Sequence, residues 1–238
     1  MKTALITGGS RGIGNAMVKA FVKEGYRVAF TYKSSESAAV ALAAETGALA
    51  IRADNASPDE IARAVATAQQ QLGEVDVLIN NAAVSSFSLF TDLSIEDWRT
   101  AFSTNVDGAF MYIKLLLPSM IRKKQGRIIN ISSMWGQVGS SCEVHYSATK
   151  AAIIGMTKAL AKEVGPSNVT VNCIAPGVIA TEMNKQLSED DLSALTDETP
   201  LMRLGTPEEV AAAALFLASD GAAFITGAVL NVNGGFVV

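Results

Sequence analysis

The 238-residue sequence predicts a doubly wound α/β fold, a sheet of about seven parallel strands with helices on both faces. Three observations carry this expectation. Short apolar runs alternate with helix-period stretches from one end of the chain to the other. The first run leads at once into a glycine-rich turn and a helix. No repeat, low-complexity segment or linker divides the chain, so one domain over 1–238 is expected.

Ala4-Leu5-Ile6 reads as a buried strand closed by Thr7-Gly8-Gly9. Glycines follow at 8, 12 and 14, then a helix with Met17, Val18, Phe21 and Val22 on its apolar face and Gly25 as its stop. Strand, glycine turn and helix form a dinucleotide-binding context. Glycine admits a pyrophosphate close to the backbone, and the helix start offers free N–H groups. The spacing departs from G-x-G-x-x-G. The second strand is Arg27–Tyr32. An acid that would bond ribose hydroxyls is expected about 20 residues past the glycines. Tyr32 stands there instead, followed by Lys33, so Lys33 and Arg11 can offer two cations to a 2′-phosphate.

A third strand, 48–53, ends at Asp54, and Ser57-Pro58-Asp59-Glu60 predicts a capping box. The fourth, 75–79, runs into Asn80-Asn81-Ala82-Ala83, a tight path suited to lie under a ligand. Ser94 caps a helix through Trp98, Phe102, Asn105 and Phe110, with Pro118 marking a kink or end. The fifth strand, 127–131, delivers Ser132 and Ser133. The next helix, 146–164, is rich in small residues, which allows close packing in the core or against another subunit. The sixth strand, 169–175, is closed by Pro176-Gly177. No strand pattern appears over 181–205, which reads as a substrate lid with short polar helices such as 188–195. Thr206-Pro207-Glu208-Glu209 caps another helix, and Val229–Val232 makes the seventh strand.

Composition narrows the function. The chain is 49% hydrophobic and 18% charged, as a globular core requires. A net charge of −4 gives no reason to expect nucleic acid or an anionic membrane as partner. Arg122, Lys123, Lys124 and Arg127 read as a solvated helix end before a strand. The two cysteines, Cys142 and Cys173, form no C-x-x-C, which argues against a disulfide framework or a metal site and fits the cytoplasm. The start leads straight into a strand, leaving no room for a signal peptide, and no apolar run reaches membrane-spanning length.

The chemistry is expected between 130 and 150. Tyr146 and Lys150 are four residues apart, hence about 6 Å apart on one helix face. A lysine cation there favours the phenolate and lowers the tyrosine pKa, so the pair can move a proton to or from an alcohol oxygen. Ser133, at the end of a strand, can hold that same oxygen.

Together these segments resemble the short-chain dehydrogenase/reductase family over essentially the whole chain. Thr7-Gly8-Gly9-Ser10-Arg11-Gly12-Ile13-Gly14 is similar to its T-G-x-x-x-G-I-G loop, and Asn80-Asn81-Ala82-Ala83 to its N-N-A-G motif, with Ala83 for the glycine. The resemblance implies a Rossmann-type fold, NADPH/NADP as cofactor and no metal. It implies Asn105, Ser133, Tyr146 and Lys150 as the catalytic set. Tyr146 is the acid, Ser133 polarises the carbonyl, Lys150 bonds the ribose, and Asn105 holds a relay water. Cofactor contacts are implied for Gly8, Ser10, Arg11, Gly12, Ile13, Gly14, Tyr32, Lys33, Asp54, Asn55, Asn81, Ala82, Tyr146, Lys150, Pro176, Gly177, Val178, Ile179 and Thr181, with Asp54 on the adenine amino group. Within the family the sequence looks most like the 3-oxoacyl-carrier-protein reductases, which implies a 3-oxoacyl thioester substrate and a homotetramer. Lys123 and Lys124 match one basic site for the carrier protein, while Ser167 and Asn168 leave the other uncharged. Two alternatives stand beside this. One is reduction of another ketone, whether a small molecule, sugar, steroid or a carbonyl on a modified protein side chain. The other is a silent nucleotide-binding regulator.

Overall fold

In the computed structural model, residues 1–182 and 188–238 are described; part of the expected lid, 183–187, lies outside them. Seven strands form one parallel sheet in the order β3-β2-β1-β4-β5-β6-β7. They are β1 Thr3–Ile6, β2 Arg27–Tyr32, β3 Leu49–Arg52, β4 Val77–Asn80, β5 Gly126–Ile131, β6 Val169–Pro176 and β7 Val229–Val232. The order reverses between β1 and β4, so a crevice opens at the carboxyl ends of those two strands.

Side chains alternate across the sheet and build a core on each face. Ala4, Ile6, Val28, Phe30, Val77 and Ile79 face one way. There they meet Met17 and Phe21 of α1 (Gly12–Lys23) and Val210, Ala214 and Leu217 of α9 (Pro207–Ala218). Leu5, Ala29, Leu78, Ile128 and Val171 face the other way. Their partners are Ile61 and Val65 of α3 (Pro58–Leu72), Tyr112 and Leu116 of α5 (Gly108–Lys123), and Ala161 and Val164 of α7 (Val144–Val164).

Several expectations change in detail. An unexpected helix, α2 (Glu36–Thr46), joins β2 to β3 and buries only Ala39 and Leu42. The capping box at Ser57 is half formed. Ser57 accepts from the Glu60 N–H, but the Glu60 carboxylate accepts from Asp54 N–H at 2.8 Å instead. The Thr206 box is complete, as is one at Ser188 that starts α8 (Glu189–Asp197). The helix capped by Ser94 is interrupted. After α4 (Ile95–Phe102), a π-turn at Ser103–Asp107 carries Asn105 before α5 begins. Pro118 does not end α5, which runs on to Lys123.

The basic cluster is not simply solvated. Lys123 reaches Asp76 at 2.7 Å, Arg122 reaches Glu74 at 3.5 Å, and Arg127 is buried at the start of β5. Lys124 turns into the left-handed region (φ 50°), and its carbonyl accepts from the Asn168 side chain. The cluster sits at the amino end of β5, about 17 Å of strand from the carboxyl end that bears Ser133. Within one chain it is therefore not at the mouth of the crevice. Among the described residues, no helix is long and apolar enough to cross a membrane, and no group of His, Cys, Asp and Glu could hold a metal ion.

Candidate active site

Four segments converge at the crevice. The first is the glycine turn after β1, whose shape is enforced from below. The Thr7 hydroxyl accepts from the N–H groups of Asn81 and Ala82 at 2.9 and 3.0 Å. The Asn81 amide donates to the Thr7 and Gly8 carbonyls at 3.0 and 3.1 Å. Gly8 has φ +64° and lies against Ala82, so a side chain there would collide with that backbone. A Cβ at Gly14 would fall on the Gly8 carbonyl oxygen. Helix α1 then starts at Gly12 with no side-chain cap and no acid in its first turn. Its leading N–H groups, with the positive end of the helix dipole, favour an anion at this position. Thr181 packs over Gly12, and Ile13, Pro176, Gly177, Val178 and Ile179 line the same crevice.

The second segment is the corner after β2. Tyr32 packs on the core, and Lys33 pairs with Asp54 at 2.7 Å. Burial works to raise the Asp54 pKa, but the Lys33 ammonium and the Ala56 N–H outweigh it and hold the carboxyl below its usual range. Arg11 pairs with Glu182 at 3.2 Å. Each cation expected to face a phosphate thus meets a carboxylate. Both cations are exposed, with Glu182 exposed and Asp54 half-buried, so the pairs contribute little stability and can yield to a stronger anion. The Asn55 amide donates to Thr104 O at 2.7 Å in the π-turn, a structural use that its place among the expected nucleotide contacts did not suggest. Ser10 is buried in the turn itself.

The third and fourth segments bring Ser133, Tyr146 and Lys150 together. Ser132 and Ser133 follow β5, and a short helix, α6 (Trp135–Val138), packs on α7 so closely that a Cβ at Gly136 would meet the Lys150 backbone and Ser132 Oγ. Ser132 Oγ–H donates to Lys150 O at 2.8 Å. The Ser133 hydroxyl lies beside the Tyr146 phenol, in the same cleft, and accepts from Trp135 N–H at 3.1 Å. Lys150 Nζ lies 5.4 Å from the Tyr146 ring centre and donates to Ile131 O at 2.9 Å.

The electrostatics differ from the expectation that Lys150 lowers the tyrosine pKa. Burial first, then the Glu143 charge, push the Tyr146 phenol above its ordinary value, opposed by the Ser133 hydroxyl. Burial pushes Lys150 down to about 8. The cause is common to both: desolvation favours the neutral form of each group.

Asn105 is brought to the site, but its amide hydrogens are both committed, to Val84 O at 2.9 Å and to Thr149 Oγ1 at 3.1 Å. Its Oδ1 accepts from Val84 N–H at 2.8 Å. The side chain fixes the loop after β4, and its N–H groups are not free for a relay water. Glu143 was missed by the sequence reading. It lines the cleft three residues before Tyr146 and is 7% exposed. The cleft holds about 680 Å³ and runs from Ile13 and Gly177 past Ser133 and Tyr146 to Phe87 and to Asp191 and Leu195 of α8.

A glycine turn at the switch point of a parallel sheet, facing a serine, tyrosine and lysine across one cleft, defines a dehydrogenase or reductase of the Rossmann type. The chain belongs to the short-chain dehydrogenase/reductase family. Residues 8–237 match the family model described as enoyl-(acyl carrier protein) reductase. It is 41% identical over 243 residues to a 3-oxoacyl-[acyl-carrier-protein] reductase of Synechocystis sp., covering 100% of this chain and 97% of that one. The protein of the same name from Chlamydia trachomatis is 41% identical, covering 98% and 96%, and that from Staphylococcus epidermidis is 39% identical, covering 98% of each. A blue fluorescent protein from a metagenomic library, solved in complex with NADPH, superposes with a TM-score of 0.93 at 36% identity, covering 100% of this chain and 98% of that one.

Proposed function

We propose that the protein uses NADPH to reduce a ketone to a secondary alcohol, and that the ketone is a 3-oxoacyl thioester. The observation that carries this reading is that the Ser133 and Tyr146 hydroxyls and Lys150 line one cleft continuous with the glycine turn. Bound NADPH supplies a hydride to the carbonyl carbon. The diphosphate is held by the N–H groups at the start of α1, the 2′-phosphate by Arg11 and Lys33, the adenine by Asp54 and the ribose by Lys150.

The chain's own residues handle the oxygen. Ser133 Oγ–H donates to the carbonyl and polarises it. Tyr146 Oη–H gives up its proton as the oxygen becomes an alkoxide. A phenol held above its ordinary pKa stays protonated at neutral pH, which suits the acid role. Lys150, still largely charged at pH 7, stabilises the phenolate left behind.

The family model's description speaks of an enoyl group, whereas the relatives' names speak of a 3-oxoacyl group. Two hydroxyls directed at one oxygen favour the carbonyl. NADPH oxidation with acetoacetyl and crotonyl thioesters tests this: the first is expected to turn over and the second not. Turnover of the crotonyl thioester alone would replace the reading. The relatives' names also include an acyl carrier protein. Lys123 is already paired and far from this chain's own cleft, so acetoacetyl-coenzyme A should react within about tenfold of the carrier-linked form. We further read the protein as one domain acting as a cytoplasmic homotetramer, which sedimentation and fractionation test.

A further inference from the structure

We infer that Glu143 is a specificity-determining residue, accepting a hydrogen bond from an N–H or O–H group that the ketone substrate carries a few bonds from its carbonyl. The inference rests on the ketone reductase reading above and narrows the substrate class of that same cleft.

Glu143 stands at the N-cap position of α7, yet its side chain makes no capping bond to the helix. It lines the cleft instead, with Tyr146, Ser85 and Ser140. Ser85 Oγ–H donates to its Oε1 at 2.5 Å, while the Ser140 hydroxyl donates to Ser141 O at 3.2 Å. Among the described residues no lysine or arginine pairs with it. The neighbouring His145 shares its Nε2 with Ser86 at 3.0 Å. A carboxylate has about four acceptor sites, so the Ser85 hydroxyl leaves most of that capacity unused. A buried carboxyl without a cationic partner is destabilising unless further donors reach it. Burial accordingly raises its pKa, with Ser85 opposing. The open direction is the cleft, where the substrate lies against Ser133 and Tyr146. Asp191, on the α8 wall, adds a second acid facing the same space. A substrate that brings a donor to this wall satisfies Glu143, and one that brings only methylenes buries it unsatisfied.

The donor can be a neutral amide or hydroxyl, or a protonated amine, and the test separates them. Three ketones are compared by kcat/KM with NADPH: the acetoacetyl thioesters of N-acetylcysteamine (one amide N–H) and of butanethiol (none), and a dialkylamino ketone of matching length. Each is measured on the native protein, Glu143→Gln and Glu143→Leu. NADPH fluorescence on binding shows that each variant is folded. The native protein should favour a donor-bearing ketone over the butyl thioester by about fivefold, the size of one net hydrogen bond. In Glu143→Leu that ratio should fall to near one. Glu143→Gln, which keeps a neutral acceptor, should preserve a preference for the amide but lose one for the cation, which identifies the source. A ratio in Glu143→Leu equal to the native one, or no native preference for either donor, overturns the inference. If the native protein reduces none of the three, the reductase reading itself fails and takes this inference with it. If it reduces the butyl thioester as readily as the others, only the inference fails.

Discussion

The two halves of the cleft are built by different means. The glycine turn at one end is made of backbone. Thr7, Asn81 and Ala82 lock the glycine turn through hydrogen bonds, and Gly8 and Gly14 stand where no side chain fits. The substrate half is made of side chains from separate segments: Ser85 and Phe87 after β4, Ser133 after β5, Glu143 and Tyr146 on α7, Leu195 on α8. Backbone architecture tolerates almost no substitution and specifies one ligand class. A wall of side chains can be repapered without disturbing the fold, which is how one scaffold serves many ketones.

That contrast can be broken at its strongest point first. Tyr146→Phe removes one hydroxyl and keeps the ring, so kcat should fall roughly a hundredfold or more while NADPH affinity holds. Single-turnover kinetics with a fluorescence titration separates the two, and full activity in the variant rejects the assignment. Gly14→Ala should do the reverse. Its methyl meets the Gly8 carbonyl, so the turn must shift, at about 1–3 kcal/mol of stability. NADPH binding should weaken with it, as thermal melts with and without NADPH would show. A silent Gly14→Ala would mean the backbone half is softer than its contacts suggest.

Lys33→Ala tests whether the Lys33–Asp54 pair yields to a phosphate. The preference for NADPH over NADH in kcat/KM should drop by about tenfold, or about 1.4 kcal/mol. An unchanged preference would leave Arg11 alone to read the phosphate. A smaller effect is expected from pH. The Glu143 charge helps raise the Tyr146 pKa, so Glu143→Gln should lower it. Reduction needs the protonated phenol, so activity should begin to fall at a lower pH than in the native protein. A pH profile of kcat/KM with the butyl thioester reads this directly, and a shift to higher pH would contradict the electrostatic account.

The same contrast explains what could be read from the chain. Strands β2 and β7 were predicted to the residue, because apolar runs bounded by turn residues leave little choice. The glycine turn was legible because only glycine fits its backbone. Helix α2 was not. Its apolar residues are mostly alanines, and only two of its side chains are buried, so no stripe marks it. Helix α6, of four residues, is too short to show a period. Glu143 was overlooked because nothing local distinguishes a buried acid from a solvated one. Its burial depends on Ser85, 58 residues away in sequence. The expected lowering of the Tyr146 pKa by Lys150 is outweighed for a related reason. Spacing gives their separation, but only the fold gives their desolvation.

The π-turn at Ser103–Asp107 carries one more residue than an α-helical turn would. Each residue rotates a helix by about 100°. The extra one therefore sets α4 and α5 out of phase, like two sections of shaft joined by an offset coupling. On the near side Trp98 and Phe102 stack on each other with ring centres 4.8 Å apart, while on the far side Tyr112 and Leu116 are sunk in the sheet core. Deleting one residue would straighten the shaft, but then one of these faces or Asn105 would have to swing away from its partner. The segment is a gear whose two ends mesh with different surfaces, and the coupling between them is where Asn105 holds the loop that borders the cleft.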